Sequence, residues 1–512
     1  MKNTPCLKSF DELDTLTFDE TRPYQRIGQK MAATQFINLY QKFKDRIRKD
    51  ETGQGRTRWG FELETYHLKK LDPEAHNGCR YVEDSEIKYL KDDKSIDFMI
   101  IGEYLGFMLE LIPGAPFHSF VYGKDILDTF KHIRKTLNNK GKPGSEFFWG
   151  GNMHTIGTRC GLEARGMGGL TQEEVASRNP LNHTRYADER LIYAHPRYLS
   201  YTRNIPARTH HPTETFYPLF KDTNTDLENV LENETKAGFC HIDGLVMSSG
   251  PASLQVTFEC QDIDEARRVY DQFHFFSSIF KALAANTPTM KDKLVEMDTR
   301  VKAWDDLHDD RSPREMPKPE TPHQGVEKSR CGPVNYHISK MSKKMRKIYN
   351  DRRYTINIKQ KKYMKKLARK LDLKIDNDLV NHIAYILSKQ AVHLADPRML
   401  DQPEDSTEAF ELFNGSLWND LRFKPPPSLD SEIGWRIEFR SMDAQTTPVQ
   451  NFLFCHSVLL LFRLITDKNL NLNFMIPISK VIFQQKLFFY PFLLFLYSLV
   501  TYSLGRCKLP QS

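Results

Sequence analysis

The stretch Trp59-Gly60-Phe61-Glu62-Leu63-Glu64-Thr65 constrains this chain more than any other. Phe61 and Leu63 alternate with Glu62 and Glu64, which is the period of a half-buried strand. Residues i and i+2 of a strand project from one face, so the two carboxylates stand side by side, roughly 6–7 Å apart. Phe61 and Leu63 then enter a core behind them. Two anions held that close repel unless a proton or a cation lies between them. A plain surface strand shows the same alternation; what sets this chain apart is the recurrence of the design.

It recurs three times. Leu254–Glu259 sets Leu254, Val256 and Phe258 against Gln255, Thr257 and Glu259. Trp435–Arg440 sets Trp435, Ile437 and Phe439 against Arg436, Glu438 and Arg440, either an exposed ion-pair ladder or the lining of a cleft. Glu103–Pro113 carries Glu103 and Glu110, an odd spacing that a regular strand would split between its faces. A bulge at Gly106 would return both to one side; the alternative leaves one carboxylate exposed and the other buried. An antiparallel sheet with helices packed behind it and a charged concave face in front accounts for all four segments, an α+β fold.

Five carboxylates on that face, Glu62, Glu64, Glu103, Glu110 and Glu438, need compensation. About two or three hard divalent cations would supply it, and Gln255 is a fitting neutral oxygen ligand. Arginines beside them imply an anionic substrate, and the rigid turn Arg422-Phe-Lys424-Pro-Pro-Pro427 offers a further contact for ATP or another anion. Metal-bridged nucleotide phosphate with arginines nearby is what phosphoryl transfer requires. The chain has no Walker loop and no kinase motif set, so the scaffold must be a different one.

The rest of the chain sets limits. Its 512 residues, 39% hydrophobic and 27% charged, allow a large globular core, and the net charge of +7 suits anionic substrates without implying nucleic acid. Eight scattered cysteines form no Cys-x-x-Cys pair, and no apolar leader opens the chain, so a reducing compartment, the cytoplasm, is expected. Helical spacing marks 24–48 (Ile27, Met31, Phe36, Leu39, Tyr40, Phe43, Ile47), 124–139, 262–286 with another helix before Asp298, and 371–395. Residues 72–95 and 140–190 read as loop, and His195-Pro-Arg197 through Arg203 as a basic loop or an anion-binding one. A Pro- and charge-rich surface insertion is expected over about 305–370. Its part from Lys340 to Lys370 holds fourteen Lys or Arg and one acid, Asp351, but its tyrosines lack a stacking pattern, so nucleic-acid binding is not expected.

Six segments resemble the catalytic subunit of eukaryotic glutamate–cysteine ligase. They are Trp59-Gly-x-Glu-x-Glu, Glu103-Tyr-x-x-x-Met-x-Glu-x-x-Pro-Gly, His195-Pro-Arg-Tyr with Thr202-Arg-Asn-Ile, Leu254-Gln-Val-Thr-Phe, Arg422-Phe-Lys-Pro-Pro-Pro and Gly434-Trp-Arg-Ile-Glu-Phe-Arg. The order and approximate spacing are the family's from about residue 24 to Val481. The resemblance implies a glutamine-synthetase-like fold with a funnel-shaped active site on the sheet. It implies ATP-dependent coupling of the L-glutamate γ-carboxylate to the L-cysteine amine through γ-glutamyl phosphate, the first step of glutathione synthesis. By it, Glu62, Glu64, Glu103, Glu110, Gln255 and Glu438 fall on the family's Mg²⁺ ligands, for two to three ions. Arg300 and Arg440 fall on arginines that contact the substrate or the transferred phosphoryl group. A regulatory modifier subunit and inhibition by glutathione also come with the family.

The chain departs from the family at several points. Phe61 stands where the family usually has Asp, and Thr65 where it has an aromatic residue. Ile242–Gly250 lacks several of the family's glycines, and Ala252-Ser253 lacks the cysteines found before Leu-Gln in animal members. The family's likeness ends at Val481, giving a catalytic domain over 1–481 and an apolar tail over 482–512. Leu487–Leu504 reads as a membrane anchor, a buried helix or translated non-coding sequence; the last is the expectation, with a truncated ligase as its consequence. The alternative function is an inactive relative that binds nucleotide or a partner without turnover.

Overall fold

The computed structural model describes residues 15–468, apart from 49–57, 71–78, 82–83, 119–122, 153–155, 159–160, 163–165, 211–212, 222, 224–235, 237, 319–325, 327–328, 333–335 and 351–355. The tail over 482–512 lies outside the described residues. An eight-stranded sheet organises the rest. Its strands are β1 (Trp59–Lys70), β2 (Cys79–Tyr81), β3 (Phe98–Gly102), β4 (Met108–Pro113), β5 (Ser145–Trp149), β6 (Ser253–Glu259), β7 (Leu421–Lys424) and β8 (Arg436–Asp443). The order is β7-β8-β6-β1-β4-β3, with β2 and β5 paired to the far half of β1. Each of these pairs is antiparallel. With the packed helices, this is a mixed α+β architecture.

One face of the sheet is dry, and three helices cover it: α2 (Gly123–Lys140), α4 (Ile263–Ala284) and α9 (Pro448–Asp467). Phe61 of β1 stacks on Phe130 of α2 with ring centroids 4.2 Å apart. Phe258 of β6 stacks on Phe462 of α9 at 4.8 Å, and Phe439 of β8 meets Phe273 and Phe280 of α4 edge-on, each at 5.3 Å. Buried aromatic pairs contribute roughly 0.5–1.5 kcal/mol beyond their area. The position where the family usually carries Asp is therefore core in this chain. By length and composition α9 could cross a membrane, but its buried side closes this face of the sheet.

The alternation of the strands puts their polar residues on the other face. The register sets Glu64 of β1 opposite Glu110 of β4, Glu62 opposite Gln255 of β6, and Glu438 of β8 between Thr257 of β6 and Arg422 of β7. Two further helices border this face, α3 (Pro196–Thr209) and α5 (Thr299–Leu307), and α1 (Phe18–Phe43) packs against α3.

Several local expectations are corrected. Glu103–Pro113 is no bulged strand. It is the turn and second arm of a β3–β4 hairpin, in which the Met108 amide donates to the Leu105 carbonyl at 2.8 Å and Gly106 lies in the turn. Reversal of the chain brings Glu103 back alongside Glu110. The basic segment after His195 is helix α3: Pro196 occupies its first turn, and His195 Nδ1 caps it by accepting from the Arg197 amide at 3.2 Å. No further helix stands between α4 and Asp298; a two-stranded hairpin, Thr289–Met290 with Lys293–Leu294, occupies that stretch. Asp84–Lys91, read as loop, is helical. In α1 the buried stripe runs through Gly28 and Ala32 rather than Ile27, which is 58% exposed, because a β-carbon at Gly28 would lie 2.8 Å from Leu400. Ile47 is exposed as well.

The described parts of 305–370 are partly interior. Arg330 is fully buried and paired with Asp310, and Cys331–Gly332 forms a parallel bridge with Trp418–Asn419. The basic run supplies two helices, Lys343–Tyr349 and α6 (Ile358–Lys370); Met364 and Ala368 of α6 are buried, α7 (Asn377–Ile386) packs on α6, and α8 (Glu408–Asn414) packs on α1.

Candidate active site

All ten residues singled out from the sequence line one cavity of about 350 Å³ on the charged face of the sheet: Glu62, Glu64, Glu103, Glu110, Gln255, Arg300, Arg422, Lys424, Glu438 and Arg440. Six stand on β1, β4, β6 and β8, whose alternation points them inward. Arg422 and Lys424 come from edge strand β7, Glu103 from the β3–β4 turn, and Arg300 from the first turn of α5.

The cavity has an acidic half. Glu64, Glu103 and Glu110 bring one carboxylate oxygen each to within 4.8 Å of one another. Burial raises the pKa of Glu110 well above the usual carboxylate range, and Glu62 and Glu103 raise it further. Glu64 is pushed up to about 7 by burial and then by Glu103, against the pull of Arg300. Its Oε2 accepts from the Ser253 amide at 2.6 Å. Burial and then Glu438 raise Glu62. An all-oxygen donor set of crowded carboxylates suits a hard divalent cation such as Mg²⁺.

The other half is basic. Glu438 accepts from Lys424 Nζ at 2.9 Å and from Arg440 at 2.9 Å, and pairs with Arg422 at 3.2 Å. Burial would raise its pKa, but Lys424, Arg440 and Arg422 together outweigh it and hold the carboxylate well below the usual range. Arg422 is itself lowered to about 10, by burial and then by Arg440. Glu438 therefore stands among three cations, apart from the carboxylate trio. Gln255 joins the halves: its Oε1 accepts from Arg440, and its Nε2 reaches Ser253 Oγ at 3.1 Å and Glu64 Oε1 at 3.5 Å.

Arg300 is fixed from behind. Its guanidinium donates to Asp443 Oδ1 at 3.3 Å and to the Arg440 carbonyl at 3.2 Å, and its amide donates to Thr287 Oγ1 at 3.1 Å. Burial and then Asp298 raise Asp443 to about 8.

Sequence reasoning left the two arginines of the His195 segment together, and the structure separates them. Arg197 lines the cavity, whereas Arg203 donates to the Thr15 carbonyl at 2.7 Å. It missed Tyr198, Lys281, Trp304, His393, Trp418 and Asp420, all in the cavity wall. Lys281 carried a usable signal: a lysine on the α4 stripe that buries Ser277 and Ala284.

Comparison with known proteins gives the arrangement a family. The family model described as glutamate-cysteine ligase matches residues 9–486. The chain is 28% identical over 486 residues to the glutamate–cysteine ligase catalytic subunit of Homo sapiens, covering 91% of this chain and 72% of that protein. It is 30% identical over 397 residues to glutamate–cysteine ligase of Schizosaccharomyces pombe (74% of this chain, 56% of that one). With the same ligase of Dictyostelium discoideum the identity is 26% over 499 residues, with 92% and 75% covered. Every residue of the cavity wall falls inside the stretch that the family model matches, and the chain belongs to the glutamate–cysteine ligase family.

Proposed function

We propose that this chain joins the γ-carboxylate of L-glutamate to the amine of L-cysteine at the expense of ATP, within a glutamine-synthetase-like funnel formed by the sheet's charged face. The observation that carries the reading is the division of one cavity into an acidic half and a basic half. ATP and an acyl phosphate bring many negative charges, and an enzyme transferring a phosphoryl group works mostly by positioning and by stabilising that charge. Glu64, Glu103 and Glu110 would hold Mg²⁺, with Glu62, Gln255 and Glu438 completing places for two to three ions. Bound there, Mg²⁺ would screen the triphosphate and orient it. Arg300 and Arg440 meet the phosphoryl group as it passes to the glutamate γ-carboxylate. Attack by the cysteine amine on the acyl phosphate then forms the amide and releases phosphate. Arg422 and Lys424 keep Glu438 charged and lend the basic half its field.

Three described cysteines, Cys260, Cys331 and Cys455, are buried free thiols, which suits the cytoplasm. A modifier partner enters the reading only through the name catalytic subunit borne by the human relative.

The test is ADP release from purified protein given ATP, Mg²⁺, glutamate and cysteine, with each amino acid omitted in turn and Glu62→Ala as control. Release that needs both amino acids and disappears in the variant supports the reading. A folded, nucleotide-binding protein that releases none would be the inactive relative instead.

A further inference from the structure

Lys281 and Asp420 form an ion pair of 2.7 Å in the cavity wall, and both residues are more than nine-tenths buried. Lys281 projects from the last turn of α4, and Asp420 immediately precedes β7. The backbone of Asp420 is fixed on both sides. Its amide donates to the Gly332 carbonyl at 3.0 Å, and its carbonyl accepts from the Arg440 amide at 2.9 Å. Asp420 Oδ1 faces Lys281, while Oδ2 is buried without a hydrogen-bond partner.

Burying two charges costs more desolvation than a single contact returns, and an orphaned carboxylate oxygen adds to that cost. The pair is therefore a poor device for stability. It is a good half-receptor. Lys281 Nζ has three donors, and the contact with Asp420 uses one direction. A metal cation at Oδ2 would meet repulsion from Lys281, and a simple anion at Lys281 would meet Asp420. A ligand bearing an ammonium and a carboxylate on one carbon satisfies both groups at once.

We infer that Lys281 and Asp420 receive the zwitterionic head of an α-amino acid, Asp420 Oδ2 accepting from the ammonium and Lys281 donating to the carboxylate. The inference rests on the ligase reading for its substrates, and two of them, glutamate and cysteine, present this head. The bond from Asp420 to the Arg440 amide places the head next to the arginine proposed to meet the phosphoryl group.

Calorimetric titration of the full chain tests this without turnover. One series uses L-glutamate, 4-aminobutyrate, which lacks the α-carboxylate, and glutarate, which lacks the amine. The other uses L-cysteine, cysteamine and 3-mercaptopropionate. For the amino acid that sits on the pair, loss of either charged group weakens binding by about tenfold or more. Lys281→Met removes the penalty for the missing carboxylate, and Asp420→Asn removes the penalty for the missing amine; the series that responds identifies the amino acid. Should Lys281→Met fail to fold, the wild-type series and Asp420→Asn decide. Wild-type protein that binds parents and analogues equally overturns the inference. So do variants that keep the wild-type selectivity, or that weaken parent and analogues by one factor while melting earlier. A wild-type chain that keeps the selectivity but releases no ADP removes the ligase reading and leaves this one standing.

Discussion

Glu110 and Glu438 are the same side chain, on strands of the same sheet, facing the same cavity, yet their pKa values move in opposite directions. Burial pushes both up. Around Glu110 the next largest influences are Glu62 and Glu103, which push it further; around Glu438 they are Lys424, Arg440 and Arg422, which reverse it. One half of the cavity has used cations of its own chain and is ready for anions. In the other, carboxylate repulsion and burial outweigh the pull of Arg300 on Glu64, and that half is ready for cations from outside. A substrate that arrives as metal-bound polyphosphate matches both halves together, which neither half does alone.

The largest effect comes from the strand both halves depend on. Phe61→Ala deletes the ring stacked on Phe130 behind Glu62 and should cost about 3–5 kcal/mol in denaturant unfolding. If that variant lost activity while keeping full stability, the dry face would be part of the chemistry and the division by faces would be wrong. Arg440→Ala strikes the basic half. It removes a partner of Glu438 and Gln255 and should lower kcat for ADP formation by about 10²–10³-fold.

The acidic half should respond to metal and pH instead. Glu64 holds its proton up to about 7, whereas the unfolded chain loses it near the ordinary 4.5. Between these values the folded state binds more protons, so without metal its stability falls as pH rises through the window. Mg²⁺ needs the deprotonated carboxylates, so the rise in Tm it produces should be larger at pH 8 than at pH 6. At 100 times its Kd the gain is about 2.7 kcal/mol. A rise that ignores pH, or that survives Glu110→Gln unchanged, would place the ion elsewhere. The smallest effect belongs to the basic helix α6. Lys365→Ser with Lys366→Ser, far from either half in role, should change stability by no more than about 0.5 kcal/mol and leave turnover intact. Loss of activity there would revive a role for the basic run.

How legible this was depended on the range of the forces involved. Alternation along β1, β6 and β8 was readable because a strand's period is fixed by its own backbone, and it placed Glu62, Glu64, Gln255, Glu438 and Arg440 on one face. The hairpin that returns Glu103 to Glu110 was mistaken for a bulge, since either device restores two carboxylates to one side. Helix α3 was missed because Pro206 argues locally against a helix, while Pro196 in its first turn, the cap at His195 and the buried Tyr201 and Ile205 argue for one. The stretch around Arg330 reads as surface by composition, yet Asp310 compensates that charge inside.

Alternation along single strands put Glu62, Glu64, Gln255, Glu438 and Arg440 on one face, and the family resemblance in the motifs supplied Arg300 and the substrates. Tertiary structure alone decided how those charges are divided. Whether Glu438 stands beside cations, whether Arg300 is braced by Asp443, and whether Lys281 reaches Asp420 depend on residues brought from distant parts of the chain. Electrostatic energy depends on distance and on the water excluded between charges, and neither quantity is written in the order of the residues.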